Sequence, residues 1–467
     1  MSQENLPESR PAGNSITEGV IWKQLLIFFF PIVMGTFFQQ LYNTIDAAIV
    51  GNYVGKEALA AVGGTTGTLI NLLVGFFVGL ASGATVIISQ FYGGGDIRRV
   101  GRAIHTAAAL AIIGSVLLMV LGLAFSPWAL RLMGTPPEIM AHALVYIRVY
   151  FAGIFFNMVY NIGSGILRAV GDSRRPLYFL IVCCFVNVLL DLLFVAVFQW
   201  GIFGAALATI LSQAVSAALI ILVLIKTDQA YRMDVKAIHI DPVILKSIIR
   251  IGIPAGLQSV LYSVSNLVIQ ASVNSFGTDV VAAWTAYGKL DGFFWMVISS
   301  FGIAITTFVG QNFGAGNYGR MRRSVRVCLA MTFGTTAAIT GLFLLVGEAF
   351  YHIFTQDQVV IGYGMEMVRF LAPVYFTYVC IEILSGAVRG VGDSLIPTII
   401  TCFGVCALRV LWIALAVPAW PNIRTTMASY PITWTITSIA FIVYYLRGGW
   451  LKRQIAAKEK EAKADGA

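Results

Sequence analysis

Long apolar runs, each broken by a short polar stretch, recur from residue 21 almost to the end of the chain. They fall near 21–50, 58–92, 100–124, 141–169, 176–198, 203–225, 245–275, 280–312, 324–347, 363–388, 396–417 and 425–446. A helix needs about 20 apolar residues to cross a hydrocarbon core, and each run suffices. With no water in that core, a crossing backbone must satisfy its own N–H and C=O groups, so the runs predict helices. A membrane β-barrel would instead show segments of about ten residues with alternating polarity. The pattern predicts an all-α integral membrane protein with twelve transmembrane helices.

The twelve runs divide into two sets of six. Gly165-Ile-Leu-Arg-Ala-Val-Gly-Asp-Ser173 recurs as Gly386-Ala-Val-Arg-Gly-Val-Gly-Asp-Ser394, an offset of 221 residues. The same offset relates Pro176 to Pro397, Arg148 to Arg369 and Gln90 to Gln311; near the start of each half it drifts by two, matching Pro31 to Pro254 and Asn43 to Asn266. Six spans in the same order and orientation make parallel repeats about an axis along the membrane normal, with a cleft between pseudo-symmetric lobes. The expected organisation is a cytoplasmic N-terminal segment 1–20, an N-lobe 21–225, a cytoplasmic linker 226–244, a C-lobe 245–446 and a cytoplasmic tail 447–467. Pro31 and Pro254 are expected to open their helices. The tail, rich in lysine, glutamate and alanine, is read as a solvated helix.

Charge sets the orientation. The net charge of +9 would suit a nucleic-acid partner if the basic residues formed one patch, but they sit between apolar runs. Loops on one side hold only Lys56, Arg131 and Arg424, whereas the termini and the other loops hold far more, including Arg98, Arg99, Arg102, Arg174, Arg175, Arg320, Arg322 and Arg323. The positive-inside rule places both termini in the cytoplasm; the expected location is the plasma membrane, as in a bacterial cytoplasmic membrane. Residues 1–20 lack the apolar core of a cleavable signal. All six cysteines lie in apolar runs and read as small core residues. In the Gly-Asp-Ser turns, Asp172 or Ser173 is expected to cap the fifth helix, with Arg168 and Arg389 neutralising Asp172 and Asp393.

An ionisable group inside a span costs about 2.5 kcal/mol or more, which makes it a functional candidate. Arg148, Arg369 and Glu366 lie near span ends, where snorkelling is cheap. Asn187 and Asp191, four apart, share a face of the fifth helix. Asp191 precedes and Thr209 follows the Gln199-Trp200-Gly201 turn by equal steps, so both sit roughly 13 Å inside it. With Asp46 near the same end of the first helix, two carboxylates, an amide and a hydroxyl meet at one level. That set suits Na+ or a proton; a structural polar network is the competing reading. Lys289, Asp291, Glu382 and Arg409 form a possible second-lobe polar site, with Arg409 or Glu382 expected to partner Lys289 and Asp291.

Gln40-Leu-Tyr-Asn-Thr-Ile-Asp46, Ser89-Gln-Phe-Tyr-Gly93, Leu167-Arg-Ala-Val-Gly-Asp172, Asn187-Val-Leu-Leu-Asp191 and Gly201-Ile-Phe-Gly-Ala-Ala-Leu-Ala-Thr209 together resemble the multidrug and toxic compound extrusion (MATE) family over about residues 20–446. The resemblance implies a two-lobe antiporter that exports small organic, often cationic compounds against inward H+ or Na+, with Asp46, Asn187, Asp191 and Thr209 at the positions of the family's first-lobe cation site. Other members carry a glutamate on the seventh helix; this chain has no carboxylate between Leu245 and Ser275. No cofactor, no nucleic acid and a monomer embedded in lipid are expected. The alternatives are a lipid-linked precursor flippase of the same superfamily and, with less support, a membrane enzyme. Four scattered histidines and no Gly-x4-Gly-Lys-Ser/Thr loop argue against catalysis and ATP use.

Overall fold

A computed structural model describes residues 16–465; the expectations for residues 1–15 and for the last two residues lie outside it. The chain folds into twelve membrane spans. The first three are Ile21–Tyr53, Lys56–Gly93 and Ile97–Leu132, and the fourth is a pair, Pro137–Ala152 and Ile154–Ala169, bent by 51°. Arg174–Val197 and Gly201–Lys226 complete the first half; Pro242–Asn274, Thr278–Gly314, Tyr318–Phe354, Gln358–Gly390, Leu395–Ala419 and Ile423–Arg447 make the second. No strand occurs among the described residues.

Breaks in the spans have local causes. The fourth bends at Gly153, where an added Cβ would overlap the Ile210 side chain of the sixth. In the tenth, a 3-10 turn at Ala372–Val374 surrounds Pro373, which has no N–H to donate. The fifth and eleventh widen into π-helical turns at Leu192–Val197 and Cys402–Ala407. Pro31 and Pro254 do not open their helices; both lie inside them. Between the fifth and sixth spans, Gln199 and Gly201 take positive φ (55° and 58°), which reverses the chain within three residues.

Two apolar cores form, and they do not follow the expected lobe limits. The core of the second half includes Ile21, Leu25, Phe28, Phe29 and Ile32 from the start of the first span. The core of the first half includes Ile244, Ile248 and Ile251 from the start of the seventh. Each half thus lends the opening turns of its first helix to the other. Phe29 stacks on Phe301 at 3.9 Å, and Phe28 meets Phe308 edge-on at 6.0 Å.

The halves are sealed on the face that carries both termini. Gly79 of the second span lies directly against Gly256 of the seventh, so a Cβ on either would collide with backbone. Nearer the termini, Gln90 donates to the Gly390 carbonyl (2.8 Å) and Gln311 donates to the Ala169 carbonyl (2.6 Å).

Two expectations about this face need correction. The tail is helical from Gly449 to Asp465, but it is not free in solvent. Trp450 and Leu451 are buried, and Lys458 donates to the Phe313 and Gly314 carbonyls that end the eighth span. Nor do Arg168 and Arg389 neutralise the turn aspartates. Asp172 caps the fifth span by accepting from the N–H groups of Arg174 and Arg175 and pairs with the Arg175 side chain at 3.3 Å. Asp393 faces Arg453 of the tail helix (3.9 Å) and accepts from Tyr444. The turn points each aspartate away from the preceding helix and towards groups that follow it.

Candidate functional site

In the first half, four spans bring polar groups together in the interior. Asn187 and Asp191 are fully buried, and Asp46 and Thr209 are each 5 % exposed. Asp191 lies within electrostatic range of Asp46, and the Tyr146 ring of the fourth span lies beside both Asp46 and Thr209. Four-residue spacing puts Asn187 one turn before Asp191, immediately ahead of the π-helical turn. Thr209 donates its proton to the Ala205 carbonyl at 3.1 Å, which leaves its lone pairs facing outward from that bond.

The polar atoms of this cluster are under-satisfied. Oδ1 of Asp46, both carboxylate oxygens of Asp191 and both polar atoms of Asn187 have no hydrogen-bond partner among the described residues. A buried polar atom left so costs about 1–3 kcal/mol. The donor set is oxygen-rich: two carboxylates, an amide and a hydroxyl fit a hard monovalent cation or a shared proton. Around them stand Tyr42, Tyr150 and Gln213, also buried, with Gln213 beside both tyrosine hydroxyls but its Oε1 short of hydrogen-bond geometry. Sequence reasoning missed these, since a tyrosine in an apolar run reads as core. Tyr42 falls one turn before Asp46 and Gln213 one turn after Thr209, which is the signal that would have found them.

The second half holds a different arrangement. A cavity of about 730 Å³, lined mostly by the second half but also by Gly75, Val78, Gly79 and Ser82 of the second span, lies beyond the interlobe seam on the side away from the termini. Its walls carry Trp284, Trp295, Tyr262, Tyr378, Tyr430 and Trp434. Asp291, Glu382 and Arg409 line it, whereas Lys289 is exposed and does not. One helical turn separates residues on the same face, and Lys289 is two positions from Asp291. Of the expected partners, Arg409 lies in electrostatic range of Asp291 but makes no salt bridge to it among the described residues; Asp291 accepts from Tyr375 Oη and Trp295 Nε1, each at 2.7 Å. Glu382 accepts from Tyr378 at 3.4 Å. Arg409, 2 % exposed, packs on the Tyr430 ring 4.4 Å from its centroid and near Trp434 at 5.9 Å. Glu366 pairs with Arg424 near the span ends. Neither the seventh nor the eleventh span contains an acidic residue, so the first half's paired carboxylates have no counterpart here.

Two repeated bundles around a cleft, with buried charge in each, define the architecture of a membrane transporter. The chain belongs to the MatE family, whose model matches residues 31–193 and again 254–415, one match per half. Among relatives, it is 26% identical over 444 residues to the probable multidrug resistance protein YoeA of Bacillus subtilis (93% of this chain, 95% of the relative). It is 29% identical over 437 residues to the probable multidrug resistance protein YpnP of the same organism (93% and 97%). A solved structure described as the outward-facing conformation of a multidrug resistance MATE family transporter superposes with a TM-score of 0.86 at 24% identity, covering 96% of this chain and 99% of that one. At that identity the superposition speaks for the fold.

Proposed function

We propose that the protein is a secondary active multidrug efflux antiporter that exports small organic compounds in exchange for H+ or Na+, with the coupling ion held by Asp46, Asn187, Asp191 and Thr209. The observation that supports this reading is the set of unpartnered oxygens, among the described residues, on two buried carboxylates within electrostatic range of each other, in spans where an idle ionisable group is costly. The named multidrug relatives support the export role.

The cycle follows from the two sites. An ion arriving from the side away from the termini binds between Asp46 and Asp191 and removes one of their two negative charges, and the first span repacks around them. Because the opening turns of that span belong to the other half's core, repacking acts directly on the seam between lobes. The cavity then loses its substrate outward; after reorientation the ion leaves inward and the next compound enters. Exchange requires each ligand to favour a different state, since equal affinity for both shifts nothing. The aromatic walls suit flat organic rings, including cations. Basic loops and both termini lie in the cytoplasm of a cell whose cytoplasmic membrane holds the protein.

In proteoliposomes, Asp46→Asn and Asp191→Asn should each abolish efflux driven by an ion gradient. Undiminished gradient-driven efflux by both variants discards the assignment. The flippase alternative requires translocation of a labelled lipid-linked precursor by the same preparation.

A further inference from the structure

The carboxylates lining this cavity have donors, but two nitrogens of the guanidinium packed on its aromatic wall lack acceptors among the described residues. Asp291 receives two short hydrogen bonds, from Tyr375 and Trp295, and Glu382 receives one from Tyr378. In contrast Nε and Nη2 of Arg409 have no acceptor, and no salt bridge reaches this side chain among the described residues. The Trp434 indole Nε1, in the same wall, also lacks one. A buried guanidinium without an acceptor is expensive, and stacking on Tyr430 offsets only part of that cost. The charges lining the cavity are Asp291 and Glu382 against Arg389 and Arg409, so the wall is formally neutral rather than acidic.

From these observations we infer that Arg409, with Trp434 beside it, is an anion subsite within the drug cavity, and that the favoured substrates are flat aromatic compounds bearing a carboxylate or similar anionic group together with a cationic one. The planar guanidinium fork matches a carboxylate bidentately, which a lysine could not do. The cationic end of such a compound lies over the tryptophan and tyrosine faces and toward Glu382, whose single long hydrogen bond leaves it free to accept. A purely cationic ligand would leave Nε and Nη2 of Arg409 without an acceptor, with Asp291 in electrostatic range but making no salt bridge to it, and would add a like charge to the same chamber.

The inference rests on the reading of the protein as an exporter of small organic compounds. It is tested with a rhodamine carboxylate and its methyl ester, which share ring system and cation and differ only in the anionic group. With the full-length protein in proteoliposomes, kcat/KM is measured for both probes under an ion gradient. The wild type is expected to favour the carboxylate. Arg409→Gln should lower the carboxylate-to-ester ratio by about tenfold or more, the size of a lost charge-assisted hydrogen bond, and Arg409→Lys should fall between the two. A ratio that does not change in Arg409→Gln overturns the subsite. Equilibrium binding to the wild type alone, read by quenching of tryptophan fluorescence, gives a test that needs no variant to fold: equal affinities, or preference for the ester, overturn it. Transport of neither probe by the wild type refutes the multidrug reading itself, whereas transport of the ester without the carboxylate refutes the subsite alone.

Discussion

Asp191 and Asp291 are both carboxylates inside a lobe, and their partners separate their roles. Asp291 is held by two hydrogen bonds of 2.7 Å, while Asp191 is fully buried and accepts none. A group retained where it destabilises the fold is doing something other than stabilising it. Asp191→Asn should therefore melt at or above the wild-type temperature in detergent while losing ion-driven efflux, and Tyr375→Phe, which strips a donor from Asp291, should lower stability by about 1–3 kcal/mol. A thermal-shift assay on purified protein checks both; a large loss of stability in Asp191→Asn would mean that the carboxylate is structural. Residue-level chemistry was only partly legible in the sequence. Equal steps from the Gln199–Gly201 turn pointed to Asp191 and Thr209 as a pair, and both are buried, but the π-helical turn at Leu192–Val197, which alters the rise between Asp191 and that turn, was not visible in the sequence. The partners of Asp291 were not legible, since Tyr375 follows the break at Pro373 and its direction depends on that 3-10 turn.

At the scale of elements, the linker into the seventh span shows how the crossed packing is anchored. Asp241 caps that helix, accepting from the N–H groups of Val243 and Ile244, and its carboxylate pairs with Arg102 of the third span. Burial alone would favour the protonated acid, but the Ile244 N–H, the Arg102 guanidinium and the Val243 N–H hold the carboxyl below the usual carboxylate range. A depressed folded-state value means that the stabilisation is complete above the unfolded value of about 3.9 and is lost as pH falls through the folded one. Asp241→Ala should cost about 0.5–2 kcal/mol at neutral pH, as for other N-caps, and the gap from wild type should close on acidification below about pH 4. Unfolding followed at several pH values measures this; a gap independent of pH would contradict it. The pairing could not be read from the sequence, and neither could the exchange of opening turns between halves. An apolar stripe looks the same whichever lobe it packs against. The spans themselves were legible because lipid imposes length and hydropathy on each. The tail was misread: its lysines and glutamates argued for solvent, and Trp450 and Leu451 at its start were the overlooked sign of docking.

Across the whole molecule, duplication builds a symmetric closure. Gln90 and Gln311 are repeat mates, and so are the carbonyls they reach, Ala169 and Gly390, each pair separated by 221 residues. Each glutamine crosses from its own half to the other, so the two bonds exist together only when the face bearing the termini is shut. At about 0.5–1.5 kcal/mol for each bond, losing both shifts the open–closed balance by on the order of tenfold. Spin labels placed across this face should therefore report a larger open population in Gln90→Ala/Gln311→Ala than in the wild type, and an unchanged distance distribution would remove the latch from the account. The duplication was visible in the Gly-Asp-Ser repeats, but the latch needed coordinates, since a glutamine at a helix end is compatible with many partners. Asymmetry is the other feature of the whole: the same six-span plan carries orphaned carboxylates in one half and most of an aromatic cavity in the other, and the proposed antiport assigns the ion to the first and the compound to the second. The most direct test of that division is ion release from the purified protein when a transported compound is added, measured in weakly buffered solution with a pH indicator and a sodium electrode. The account predicts release from the wild type and none from Asp46→Asn/Asp191→Asn; release from that double variant equal to wild type would contradict it.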